Sequence, residues 1–157
     1  MVLQNVDPGT YTPVLMPQPP WYVQSATYAQ ANMLYDDIIV ASGSGYPMEI
    51  VLRDDSATLS ASVKSSNGNP ISATVVVLPQ PPGKTAPRVV RSGGSEFSAY
   101  GLPPGEYLVF AFDRIDDLEY ANPDAFAPYA SQAAHVTLTA NQKAQVSLDL
   151  IHVGKDE

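Results

Sequence analysis

Three features of the sequence predict an all-β fold. Fifteen prolines and ten glycines are scattered between short apolar runs, a spacing that suits many brief strands joined by turns. Those runs alternate with period two, as where Phe97, Ala99 and Gly101 oppose Ser98 and Tyr100. One run, Tyr107 to Phe112, is apolar on both faces, which places it at the centre of a sheet. Between these last two strands stands Gly101-Leu102-Pro103-Pro104-Gly105. There Pro104 and Gly105 suit the central positions of a type II turn, with glycine taking the positive φ.

The chain also resembles itself. Asn5-Val6-Asp7-Pro8-Gly9-Thr10-Tyr11 matches Gly101 to Tyr107 at an offset of 96. Ile38-Ile39-Val40 followed by Met48 to Leu52 matches Val136-Thr137-Leu138 followed by Val146 to Leu150 at an offset of 98. Two landmarks in one order predict two copies of one module. Residues 56–157 hold a complete copy, read as a Greek-key, seven-stranded β-sandwich. Residues 1–55 hold only the C-terminal half of such a module, with Pro8 and Gly9 standing where Pro104 and Gly105 stand. A half sandwich leaves a strand edge and an apolar face open. It is expected to dock onto the second module, to continue into other domains of a longer parent protein, or to self-associate.

In chain order, Tyr11 to Leu15 is read as a strand, ended by Pro17, Pro19 and Pro20. Trp21 to Tyr28 alternates and forms another. Asp36 to Ala41 and Met48 to Arg53 are read as a hairpin across Ser42-Gly43-Ser44-Gly45, and Asp54-Asp55 marks the boundary. Thr58 to Lys64 and Ile71 to Leu78 follow, joined by the hairpin chemistry of Asn67-Gly68-Asn69. A proline-rich loop over 79–87 precedes Arg88 to Arg91 and the strand–turn–strand already described. Asn122-Pro123 supplies an N-cap and a first helical position, so Asp124 to Gln132 is expected to be a short helix despite Pro128. Val136 to Thr139 and Ala144 to Ile151 close the sheet, and the tail 154–157 is expected to be loose.

Composition narrows function mainly by exclusion. A formal charge of −8, with eight dispersed basic residues, speaks against nucleic acid, because phosphate neutralisation needs clustered Lys and Arg. No window of 18 apolar residues exists, so no helical membrane span is expected. The first residues lack a signal-peptide pattern. The absence of cysteine removes disulfides, thiol chemistry and thiolate-held metal. No G-x-S-x-G elbow is present, and Ser42 to Gly45 and Ser92 to Ser95 lack the lysine of a phosphate loop, so both are read as turns.

The residues Leu59-Ser60-Ala61-Ser62-Val63 and Asn67-Gly68-Asn69-Pro70-Ile71-Ser72-Ala73, followed by Phe97 to Tyr107 and the last alternating strand, carry a resemblance. They are similar to the carboxypeptidase regulatory-like family of bacterial β-sandwich repeats, related to transthyretin-like and Cna-B-like sandwiches. Ala61 and Ser72 stand where that family often has glycine. Asp113 to Tyr129 looks like an insertion found in repeats of bacterial envelope proteins. The resemblance implies a non-enzymatic spacer, adhesion or ligand-presenting module of a bacterial cell envelope or secreted protein. It also allows an accessory domain of a larger enzyme or outer-membrane receptor. Cna-B-like relatives cross-link a strand lysine to an acid or amide on the last strand, which implies Lys64 and Asp149 as the pair. Ala111 stands where the assisting acid belongs, so no bond is expected.

Two candidate sites remain, each with a plainer alternative. Trp21, Tyr22, Tyr28, Tyr35 and Tyr46 crowd the first half, and aromatic faces stack on sugars, so glycan binding stands beside the alternative of packing between the halves. Asp113, Asp116, Asp117 and Glu119 follow a central strand and offer oxygens for calcium; Asp36 and Asp37 hold a comparable place in the first copy. The alternative is a solvated acidic loop, and no other cofactor is implied. His135 and His152, at strand edges without ligand spacing, are read as surface residues.

Overall fold

The computed structural model describes residues 5–153 except Ser44, Ser65, Ser66, Gly68, Pro70, Thr85, Ser92, Gly93, Ser95, Asp117 and Ala121. The tail 154–157, Asp117 and parts of the loops over 42–45, 65–70 and 92–95 therefore lie outside the described residues.

The second half is a sandwich of two sheets. Strands β6 (Ala57–Lys64), β7 (Thr74–Gln80), β8 (Arg88–Arg91), β9 (Glu96–Leu102), β10 (Gly105–Phe112), β11 (Ala134–Leu138) and β12 (Lys143–Asp149) divide into sheets of order β12-β6-β9 and β11-β10-β7-β8. β12 runs parallel to β6, and the remaining pairs are antiparallel. Leu59, Val63, Val75, Val77, Phe97, Val109 and Leu148 are among the side chains that fill the space between the sheets. The outer face of β7 and β10 is covered as well. Phe110 and Phe112 stack under Phe126 of a 3-10 helix, Pro123–Gln132, with Ile151 and Val153 from the last segment beside them. This is why β10 can be apolar on both sides. Asn122 caps the helix by accepting from the Asp124 N–H at 3.0 Å, and Pro128, which lacks an N–H, sits within it.

The first half builds a smaller sandwich. β1 (Gly9–Tyr11) pairs with β4 (Ile38–Val40), and the sheet β3-β2-β5 comprises Ala31–Asn32, Tyr22–Tyr28 and Met48–Arg53. Between them Ala26, Tyr28, Met33 and Ile38 are buried, with Leu15 and Val40 against them.

The connections over 42–45 and 65–70, expected to be hairpins, are not, and two further turns also cross between sheets. The strands flanking Pro103-Pro104 belong to opposite sheets, as do β6 and β7 and also β11 and β12. β4 and β5 pair with β1 and β2 and not with each other, so no hairpin spans the loop over 42–45. Turn residues specify a reversal; whether the two arms then pair or arch across a core depends on which distant strand offers a partner.

The Pro-Gly turns also differ. Gly105 has φ +156° and Gly9 is not among the positive-φ residues, so neither holds the +80° region of a type II turn. Each is instead the first residue of a strand, drawn out by its ladder: Gly105 opposes Leu138 and Gly9 opposes Val40. The left-handed position lies four residues earlier in both copies, at Gly101 (φ +70°) and Asn5 (φ +59°). Both corners close with the same bond. The Tyr107 hydroxyl donates to the Pro103 carbonyl at 2.6 Å, and the Tyr11 hydroxyl donates to the Asp7 carbonyl at 2.8 Å. The ladders continue in matching register, Tyr107 opposite Val136 and Tyr11 opposite Ile38. The two copies are thus alike in bond, dihedral and register.

Candidate functional site

A cleft of about 550 Å³ opens where the two halves meet. Tyr22, Tyr35 and Arg53 come to it from the first half; Pro79, Pro81, Arg88 and Glu106 come from the second. The strands set these positions. Tyr22 and Arg53 are register partners at one end of β2 and β5, and Glu106 lies beside Gln80 where β10 meets β7.

The wall between the halves is polar and fully engaged. The Tyr22 hydroxyl donates to Asp55 Oδ1 at 2.9 Å, and Arg53 Nε donates to the same oxygen at 3.0 Å. Arg53 also forms an ion pair with Asp55 through Nη2. The Asp55 carbonyl accepts from the Asn141 N–H at 2.9 Å. On the other side, Lys84 Nζ lies 2.9 Å from Asp37 Oδ1, and its N–H donates to the Leu34 carbonyl at 2.7 Å. Gly83 is required there: a Cβ on it would lie 2.7 Å from the Leu34 carbonyl oxygen. On the same terms Gly101 faces Pro19, whose Cγ would lie 3.3 Å from a Cβ.

Electrostatics follow from these contacts. The Arg53 guanidinium, and then the Tyr22 hydroxyl, hold Asp55 below the ordinary carboxylate range. Lys84 and Thr12 do the same for Asp37. Burial pushes the Tyr22 phenol up, and its bond to Asp55 adds to this. Burial pushes Tyr107 up further. Both phenols therefore remain hydrogen-bond donors at neutral pH. Among the described residues, the lining includes no histidine, serine or cysteine. Tyr22, Tyr35, Pro79, Pro81, Pro103 and Pro104 line it together with Arg53, Asp55, Arg88 and Glu106.

The aromatics named from the sequence are divided by the structure. Tyr22 and Tyr35 line the cleft, Tyr22 buried and Tyr35 45% exposed. Tyr28 is buried, with Tyr46 edge-on at 6.1 Å. Trp21 is 46% exposed and stacks on no ring among the described residues. The acidic loop is divided too. Asp113 accepts from the Val153 N–H at 3.2 Å and lies 2.8 Å from His152 Nδ1, so it fastens the last segment of the chain. Asp116 is exposed and Asp117 lies outside the described residues. No three His, Asp or Glu side chains converge among the described residues. Lys64 and Asp149 are register partners of β6 and β12, both exposed, and Ala111 lies in the core between the sheets. Pro104 and Gly105 also border the cleft.

The residues that clamp the halves, Leu34, Asp37, Gly83 and Lys84, were not legible as a group. Asp54-Asp55 was read only as a boundary, and no local pattern announces a contact between segments thirty to fifty residues apart.

No known protein family matches the chain. No curated protein matches it either. Two solved structures are similar in shape. The Bacillus anthracis TIE protein is 10% identical over 72% of this chain, with a TM-score of 0.41, and this chain spans about a fifth (20%) of its length. The 5-hydroxyisourate hydrolase of Klebsiella pneumoniae is 24% identical over 63% of this chain and 92% of its own, with a TM-score of 0.30. The second is transthyretin-like, the coarser part of the resemblance read from the sequence. Both likenesses are distant, and the sandwich is established by the chain's own ladders. The expectation of a module without enzymatic activity requires correction. The similar structure from Klebsiella pneumoniae is by name a hydrolase.

Proposed function

We propose that this chain is a rigid spacing and presenting unit of the carboxypeptidase regulatory-like kind, working in a bacterial envelope or secreted protein. The observation that supports this most is the fastening of the two halves. Only Asp54–Ser56 separate β5 from β6; Asn141–Asp55, Lys84–Asp37 and Lys84–Leu34 join the halves across that tether and oppose hinge motion about it, while Tyr22–Asp55 holds the tether to the first half. A short linker alone leaves relative motion as the default, and several contacts on either side remove it.

The test is rotational diffusion measured by ¹⁵N relaxation. Both halves are expected to report one correlation time. Gly83→Ala, which drives the 81–86 loop off the Leu34 carbonyl, is expected to split it into two while each half keeps its amide dispersion. Independent tumbling in the unaltered chain would remove the reading.

A second reading, glycan binding, is favoured by Tyr35 standing half-exposed at the mouth of the cleft beside the proline wall. Titration with a panel of oligosaccharides, followed by Tyr35 ring shifts, decides it; unmoved ring signals at saturating sugar would dismiss it.

A further inference from the structure

The two tyrosine corners make the same hydrogen bond, but only one of them sets it beside a nucleophile. The Tyr11 hydroxyl donates to the Asp7 carbonyl at 2.8 Å, and that carbonyl belongs to the peptide bond between Asp7 and Pro8. In the second half the Tyr107 hydroxyl donates to the Pro103 carbonyl at 2.6 Å, which belongs to the bond to Pro104. Each phenol thus sits on the oxygen of an X–Pro bond. Pro103 has no group that could attack its own carbonyl carbon. Asp7 has its carboxyl, and it is the only aspartate of the chain that precedes a proline.

The fold holds the phenol and leaves the carboxyl free. Asn5, in the left-handed region at φ +59°, turns the chain before Asp7, and the β1–β4 ladder fixes Tyr11 opposite Ile38. Asp7 is exposed, and its carboxyl takes part in no hydrogen bond or ion pair among the described residues. The strand paired with β1, β4, carries no charged residue, and Asp37 just before it is engaged by Lys84 and Thr12. The Asp7 carboxyl can therefore turn onto its own carbonyl carbon, and water reaches the same point.

We propose that the Asp7–Pro8 bond is a self-cleavage site, with the Asp7 carboxyl as nucleophile and the Tyr11 hydroxyl as oxyanion donor. A carboxylate oxygen of Asp7 bonds to the Asp7 carbonyl carbon and closes a five-membered ring. The negative charge passes to the carbonyl oxygen, where the phenol O–H already points and stabilises it. As that charge returns to re-form the carbonyl, the C–N bond to Pro8 breaks. The released nitrogen takes a proton from mildly acidic solvent and leaves as a secondary amine. Water then opens the cyclic anhydride, which restores the side-chain carboxyl and gives Asp7 a free α-carboxyl. Every described strand begins at Gly9 or later, so the cut separates residues 1–7 from strands that all stay on one fragment. This chemistry is independent of the spacing role and of glycan binding in the cleft.

The test is intact mass measured during incubation of the full chain in mildly acidic buffer. The expected product is residues 8–157, with Pro8 at its new N-terminus. Asp7→Asn is expected to abolish its formation. Tyr11→Phe, which removes the donor from an exposed corner and leaves the strands paired, is expected to slow cleavage at least about tenfold. Urea, which dissolves the corner in the unaltered chain, is expected to slow it as well. Equal rates for Tyr11→Phe and the unaltered chain, or undiminished cleavage in urea, would reduce the site to the ordinary acid lability of an Asp–Pro bond and overturn the inference. So would a folded chain that stays whole in buffer that cuts the same bond in a free peptide of residues 5–11.

Discussion

The two halves of this chain share one corner and differ in what surrounds it. Both have a left-handed residue four positions before the strand, a tyrosine hydroxyl closing the corner, and a ladder in the same register. They differ in what covers that ladder. β10 has strands on both sides, the facing sheet on one surface and the 3-10 helix on the other. β1 has one neighbour and a small facing sheet, and its outer surface is open. Counterpart residues make this plain: Phe110 and Phe112 are 0% exposed, whereas Val14 is 68% and Met16 is 82% exposed. Local geometry is therefore set by local sequence, while strand length and burial are set by how many neighbours arrive.

The largest effect that separates the halves is expected at those counterparts. Phe110→Ala removes a ring stacked against Phe112 and Phe126, at centroid distances of 5.7 and 5.3 Å, from the centre of the apolar cluster outside β10. Truncating a fully buried Phe costs about 3–5 kcal/mol. Val14→Ala is expected to change stability by no more than about 0.5 kcal/mol, as surface substitutions do. Thermal and urea unfolding of the two variants measure this directly. Similar losses at both positions would mean that residue 14 is covered in solution and that the halves are not distinguished by burial.

The tyrosine corners give a smaller and finer comparison. Tyr107→Phe and Tyr11→Phe delete the same hydrogen bond to a carbonyl four residues back. Tyr107 is 5% exposed, so its loss leaves the Pro103 carbonyl without that donor in a partly buried corner, at a cost of about 1–3 kcal/mol. Tyr11 is exposed and its corner is wet, so water replaces the hydroxyl and the change should be a few tenths of a kcal/mol, near the low end for a net hydrogen bond. Equal effects would show that the corner stabilises through geometry fixed before burial and not through exclusion of water.

Much of this comparison was legible before any coordinates. Alternation located the core face of β9, the two-sided apolar run placed β10 at the centre of a sheet, and the repeated Pro-Gly-x-Tyr pattern marked a chain reversal in each half. What could not be read was pairing. The Pro103-Pro104 and 65–70 connections look like hairpin turns because the same residues reverse a chain whether its arms pair or cross between sheets. The cleft was legible only in pieces. Tyr22 and Tyr35 were marked as aromatic, but Gly83 meeting Leu34 and Asn141 meeting Asp55 are contacts across the boundary between copies, and no periodicity encodes them. The same holds for Asp113, whose place in an acidic run suggested calcium while its actual partners, His152 and the Val153 N–H, lie some forty residues ahead.

Acid should resolve the halves with the smallest energetic effect. No polar or charged residue is buried among the described residues, so neither core contains a group that must titrate. The titrating contacts are peripheral. Asp37 joins the halves through Lys84, Asp55 holds the tether to Tyr22 and Arg53 of the first half, and Asp113 fastens residues 151–153 to the end of β10. Partial burial opposes the charge on Asp113, but the bonds from His152, Val153 and Arg114 outweigh it and hold its carboxyl below the ordinary range. All three carboxylates are thus depressed on folding. Their contribution is complete above the ordinary carboxylate range and is lost as pH falls through their lower folded values. These are peripheral contacts screened by solvent, so global unfolding is not the expected outcome. Instead the correlation times of the two halves should diverge in acid, and the Ile151 and Val153 amides should shift with them, while the β7 and β10 signals stay in place. Asp113→Asn should abolish the shift at Val153 and leave the divergence of the halves untouched. Loss of the β7 and β10 signals at the same pH would mean that the joint between the copies and the larger core unfold as one unit, and that the difference in burial has no counterpart in stability.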